Sequence, residues 1–95
     1  MNRTGYQKVT ADAAVSSSGA PVVIYGLHIK SAAGGAGNVI LYDGTSTSDT
    51  EVQKETGVTD QGKSFDYPEG KVFPLGCFVD IDANVSYVAV WFEKV

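Results

Sequence analysis

The chain of 95 residues has one cysteine, one histidine, one tryptophan and one methionine. A lone cysteine cannot close an internal disulfide, and with a lone histidine it cannot supply a cysteine-rich zinc site. No apolar run approaches the ~20 residues that cross a bilayer as a helix. Met1-Asn2-Arg3-Thr4-Gly5 leads straight into polar sequence, without the apolar stretch expected of a secretory signal. Basic residues are few, seven against eleven acidic ones, and the formal net charge is −4. Nucleic-acid phosphates would be repelled by that balance. Length is also limiting. One domain is allowed, with one modest core, because a chain this short buries only about 60–65 % of its unfolded surface. A doubly wound nucleotide-binding domain would be cramped.

What is present points to β structure. Thirteen Val, four Ile and seven Thr stand against three Leu. β-Branched residues are stiff at χ1 and pack well on a pleated sheet. Four of the nine Ala adjoin Gly or Ser, and eleven Gly leave only short runs between them. The expectation is one all-β domain, an antiparallel β-sandwich or jelly roll of about seven to eight strands. Residues 1–20 are polar and small and read as an N-terminal segment or arm, with a short edge strand possible between Val9 and Val15; residues 21–95 form the sandwich.

The best strand runs from Val22 to Lys30. Strict alternation puts Val23, Tyr25, Leu27 and Ile29 on one face, and Val22, Ile24, Gly26, His28 and Lys30 on the other. Gly26 in its middle signals a bulge or a close backbone approach. Ala32 to Gly37 connects to a partner strand, Asn38 to Tyr42, which Asp43-Gly44 ends. Thr50 to Glu55 reads as a polar edge strand. Lys63 to Tyr67 reads as a short strand stopped by Pro68, and Lys71-Val72-Phe73 before Pro74 as edge or irregular. Cys77, Val79 and Ile81 alternate inward with Asp80 and Asp82 outward. Val85 to Lys94 is apolar on both faces. It should therefore be central, or have one face against a partner chain, with Trp91 expected in the core.

Gly57-Val58-Thr59-Asp60-Gln61-Gly62-Lys63-Ser64 matches the phosphate-loop pattern letter for letter. Such a loop needs a buried strand before it and a helix beginning at the Lys-Ser. Here a charged run precedes it, and Pro68 and Gly70 break any helix after it, so a hairpin loop with a solvated Lys63 is expected. Asp80 and Asp82 share a strand face, and Asp43 and Asp49 flank a loop, but the run of oxygens that calcium needs is missing. Cys77 belongs to an inward set and His28 to the polar end of its strand, so a Cys–His nucleophile pair is not expected. No nucleophile elbow supports a serine triad. Asn2-Arg3-Thr4 and Asn84-Val85-Ser86 fit the glycosylation pattern and are read as chance matches. No enzymatic activity, cofactor or metal is expected. Ten aromatic residues remain, five of them Tyr, a residue enriched at protein interfaces. Tyr6, Phe65, Tyr67, Phe73 and Tyr87 are the expected partner contacts.

Val23-Ile24-Tyr25-Gly26-Leu27-His28-Ile29-Lys30, followed by Gly34-Gly35-Ala36-Gly37-Asn38-Val39-Ile40-Leu41-Tyr42-Asp43-Gly44-Thr45, resembles small virion proteins of tailed bacteriophages, including capsid decoration (cement) proteins. Pro74 to Asp80 resembles their late glycine-containing strand, and the likeness covers roughly residues 20–95. It implies a non-enzymatic protein made in the host cytoplasm and carried on the outer capsid surface. It also implies association into a trimer, contact with the major capsid protein and stabilisation of the shell, without nucleic acid or membrane as partners. A head-fibre, neck or tail component is the alternative. A carbohydrate-binding sandwich that stacks sugars on Trp91 or a Tyr is a further one.

Overall fold

A computed structural model describes residues 5–95. It contains eight strands: β1 (Gly5–Val9), β2 (Ala13–Ala14), β3 (Val22–Ser31), β4 (Asn38–Asp43), β5 (Thr50–Thr56), β6 (Gly62–Phe73), β7 (Cys77–Ile81) and β8 (Val85–Lys94). They form two four-stranded sheets, ordered β1-β8-β3-β6 and β2-β7-β4-β5. Strand pairing is antiparallel throughout. First pairs with last, second with seventh, third with sixth and fourth with fifth, as if one long hairpin had been rolled across two layers. This is the strand order of a jelly roll, the arrangement that the β-rich composition allowed.

The core lies between the sheets. Val22, Ile24, Leu27 and Ile29 of β3 and Val88, Val90 and Phe92 of β8 face Val39 and Leu41 of β4 and Cys77 and Val79 of β7. Strict alternation on β3 cannot hold, because Val22 and Ile24 are two residues apart while Leu27 follows Ile24 by three. A bulge between Ile24 and Gly26 shifts the register and reverses the phase, so both apolar pairs point inward. Gly26 suits this place, since a Cβ there would stand 3.2 Å from the Phe65 carbonyl oxygen.

The division expected at residue 20 does not coincide with an edge of the fold. Residues 5–9 pair with β8 and residues 13–14 with β7, so both belong to the sandwich. Inward positions on β1 are Gly5, Gln7 and Val9. A Cβ at Gly5 would lie 2.6 Å from the Phe92 ring. The Gln7 amide donates to the Ala14 carbonyl at 3.0 Å and accepts from the Ser16 N–H at 2.8 Å, tying one sheet to the other. The short β2 leaves the next amide of β7 to a side chain: Ile81 N–H donates to Asp12 Oδ1 at 2.9 Å. Strand β6 is longer than the sequence suggests. It continues past Pro68 as an edge strand, where a residue without an N–H is tolerated, and ends in the core at Phe73.

Candidate functional site

Strand register arranges the outer face of the first sheet in four cross-strand rows. Glu93, Val23 and Val72 form one row. Tyr6, Trp91, Gly26 and Asp66 form the next. Lys8, Ala89, His28 and Ser64 follow, and then Tyr87, Lys30 and Gly62. The residue added by the β3 bulge brings Tyr25 to this region, where its hydroxyl donates to Glu93 Oε1 at 2.9 Å. The face is rich in aromatic rings. Tyr6 and Trp91 meet edge to face, with centroids 5.4 Å apart and planes at 61°. Lys8 Nζ stands 4.6 Å from the centre of the Tyr87 ring, and His28 Nδ1 is 2.8 Å from Ser64 Oγ.

Large apolar surface stays in water here. Tyr6 is 58 %, Val72 61 % and Trp91 37 % exposed. Trp91 therefore departs from the core placement expected from its strand. In β8 the inward register falls on Val88, Val90 and Phe92, leaving Ala89 and Trp91 on the outside.

The five aromatics expected as partner contacts divide. Tyr6 is exposed and Tyr87 half-buried, both on this face. Phe65 and Tyr67 are half-buried and pack against the core margin. The Tyr67 hydroxyl donates to Glu55 Oε2 at 2.6 Å, spanning from β6 to β5 of the other sheet. Burial, then that bond and the Glu55 charge, push the Tyr67 hydroxyl far above its ordinary pKa. Phe73 is corrected outright: it is fully buried opposite Val22 and cannot touch a partner.

The carboxylates serve the fold. Asp82 accepts from the Asn38 backbone and side chain at 3.1 and 2.9 Å and from the Asn84 N–H at 2.9 Å. Asp49 closes its loop by accepting from the Thr45 and Ser46 N–H groups at 2.8 and 3.1 Å, and Asp43 accepts from Leu75 N–H at 2.9 Å. Asp80 has its pKa raised by partial desolvation, then by the Asp12 carboxyl beside it and the charge of Asp82. Among the described residues no group of three or more His, Cys, Asp or Glu side chains could hold a metal ion. Cys77 faces the interior from the second sheet while His28 lies on the outer face of the first, so the two are not brought together. The phosphate-loop match folds as the β5–β6 connection and the start of β6, with no helix, and Lys63 Nζ rests 5.3 Å from the Phe65 ring centre. Asn2-Arg3-Thr4 lies outside the described residues.

These features define an all-β jelly-roll domain that carries an aromatic, partly exposed sheet face. No family model and no curated protein matches the chain. A solved chain described with Bacillus endospore appendages, a novel family of disulfide-linked pili, is similar in fold. It aligns with a TM-score of 0.50 at 17 % identity, over 97 % of this chain and 85 % of its own length. At that identity the likeness speaks for the architecture alone.

Proposed function

We propose that this chain is a non-catalytic structural subunit that works by adhering to other protein subunits of a large assembled particle. Its place is the outer surface of a tailed-phage capsid, as a decoration protein. The exposed Tyr6–Trp91 pair on a four-stranded outer face supports this reading. Aromatic rings with polar tips are favoured where surface is covered by a partner. The jelly roll is compatible with it, since this architecture serves in capsid proteins, although it also serves in lectins. The sequence resemblance carries the choice of particle. Net negative charge keeps the free subunit soluble, and binding to the assembled shell alone would stabilise that shell by mass action.

The similar chain comes from disulfide-linked pili. That linkage does not carry over readily. Cys77, the one cysteine in this sequence, is 1 % exposed, and burial followed by the Asp43 charge pushes its thiol up to about 12. Adhesion by non-covalent faces is the mechanism proposed here.

Quantitative mass spectrometry of particles purified from producing cells tests the assignment. Hundreds of copies per phage head are expected. Six or twelve copies would move the protein to the tail axis, and absence from particles would refute the structural role.

A further inference from the structure

A strand at the edge of a sheet presents unpaired N–H and C=O groups, and folded chains blunt such edges in recognisable ways. Three of the four edges here are blunted. Strand β6 pairs with β3 at Lys71 and again at Asp66, so residues 67–70, Pro68 among them, leave the ladder opposite Tyr25 alone. Strand β5 is bulged at Val52 and carries Glu51, Lys54 and Glu55. Strand β2 has only two residues, and Asp12 takes the β7 N–H of Ile81 beyond it. Strand β1 has none of these devices. Gly5 to Val9 pair one to one with Phe92 to Val88, without a bulge or a proline. Lys8 is the one charged residue of β1, and its ammonium leans back over the Tyr87 ring of β8, away from the edge. Among the described residues no strand lies on the other side of β1.

We infer that β1 pairs edge to edge with β1 of a second copy of this chain, antiparallel, about a two-fold axis normal to the sheet. The inference goes beyond the decoration role and holds whichever particle carries the chain. A backbone edge is self-complementary under such an axis, because each N–H and C=O it offers meets the other's counterpart. The axis keeps outer faces outward, so facing residues must come from the same side of the sheet. That puts the axis on a residue. Centred at Gln7 it pairs all five positions of β1, whereas centred at Tyr6 or Lys8 it pairs three. Gln7 then faces the partner's Gln7, Gly5 the partner's Val9 and Tyr6 the partner's Lys8. The Gln7 side chain is already held by Ala14 and Ser16, so the contact runs through the main chain, with roughly four to six hydrogen bonds. The two first sheets merge into one of eight strands. Both Tyr6–Trp91 pairs then stand on the same outer side, flanking the junction.

Size sets the expected strength. A five-residue edge is about 17 Å long. Its contact falls well below the ~1,200 Å² of a standard interface, so the free pair is weak and reversible. Tethering on a particle raises the local concentration and favours it. This is a two-fold pair in place of the threefold cluster that the sequence resemblance implies.

Sedimentation velocity and cysteine cross-linking test the inference. The native chain should move reversibly from monomer towards twice the mass as its concentration rises to about 1 mM. Tyr6→Cys and Lys8→Cys change exposed side chains, and the native Cys77 is buried and stays out of the reaction. Mixed in equal amounts and mildly oxidised, the two variants should cross-link, because facing Cα atoms lie about 4.5–5.5 Å apart, within disulfide reach. Either variant alone should cross-link about tenfold less or not at all, since its own two cysteines would stand about 8 Å apart. Thermal melts of each variant confirm that it is folded. Monomer at every concentration, a threefold mass, cross-linking as strong in a single variant, or none in the mixture would overturn the inference. None of these results would alter the copy number found in particles, so failure here and failure of the decoration role are read separately.

Discussion

Phe73 and Tyr6 make a matched test of which aromatic residues hold the fold and which face outward. Both looked like contact residues in the sequence, and the structure separates them completely: Phe73 is 0 % exposed and Tyr6 58 %. Phe73→Ala removes a ring from the closed end of β6, opposite Val22 and within the inter-sheet core. Losing a buried phenylalanine ring costs about 3–5 kcal/mol, part of it transfer and part the cavity left behind. A domain of this length has a total stability of roughly 5–14 kcal/mol. One kcal/mol moves the melting temperature of such a domain by about 4–8 °C, so a fall of roughly 12 °C or more is expected. Tyr6→Ala loses an edge-to-face contact with Trp91, about 0.5–1.5 kcal/mol, from a surface that water already reaches. Its melting temperature should fall by only about 2–12 °C. Urea unfolding followed by Trp91 fluorescence and far-ultraviolet circular dichroism measures both. If Phe73→Ala unfolds within about 1 kcal/mol of the parent, the ring is not part of the core and the inward register of β6 is wrong.

Two further outcomes follow from the backbone and from the buried thiol. Gly76 has φ of +97°, and a Cβ there would stand 3.0 Å from the Gly19 Cα, so Gly76→Ala should destabilise by more than about 1 kcal/mol in the same urea assay, well beyond an ordinary surface change. Cys77 has a folded pKa raised from 9.0 to about 12, so the folded state holds the proton more tightly than the unfolded state does. Stability should therefore be level below pH 9 and fall as pH rises from 9 towards 12, by up to about 1.4 kcal/mol per pH unit. Burial of the Tyr67 hydroxyl adds a decline of the same sign above pH 10. Cys77→Val should flatten the limb between pH 9 and 10 and leave the higher one, as read from urea midpoints across pH.

Much of this fold can be read in the residues, and the places where it cannot have physical causes. The run from Cys77 to Ile81 shows its buried face because it is a regular strand with one side in water. The Val85–Lys94 run shows that it is central because both of its faces are apolar. Strand β3 misleads an alternation count. One inserted residue reverses the phase halfway along, and Gly26 is the only mark of it. Strand β1 is harder still. Two of its inward positions are Gly5, where the Phe92 ring leaves no room for a side chain, and Gln7, which spends its amide on the other sheet. Neither adds hydrophobic periodicity, so the pairing of residues 5–9 with β8 is invisible without the partner strand. Phe73 sits between an exposed valine and a proline, a local pattern that does not distinguish a ring entering the core from one at an edge.

The same register explains why fold stability and association should separate on the outer face. Strand β8 has β1 on one side and β3 on the other, so its hydrogen-bonding edges are satisfied within the chain. Its inward residues meet the second sheet. Among the described residues no second layer covers its outward side chains, and Tyr6 covers only part of Trp91 by crossing from β1. Trp91 and Tyr6 therefore add little to a core that closes without them. What they supply is exposed aromatic surface on the outer face. Truncating either ring should leave the chain folded while weakening contact with the particle, whereas truncating Phe73 should destabilise the chain and leave that contact intact until it unfolds. A surface that contributed to folding alone would show the opposite dependence. Co-sedimentation of Tyr6→Ala and Phe73→Ala with particles, at temperatures where both remain folded, distinguishes the two cases directly.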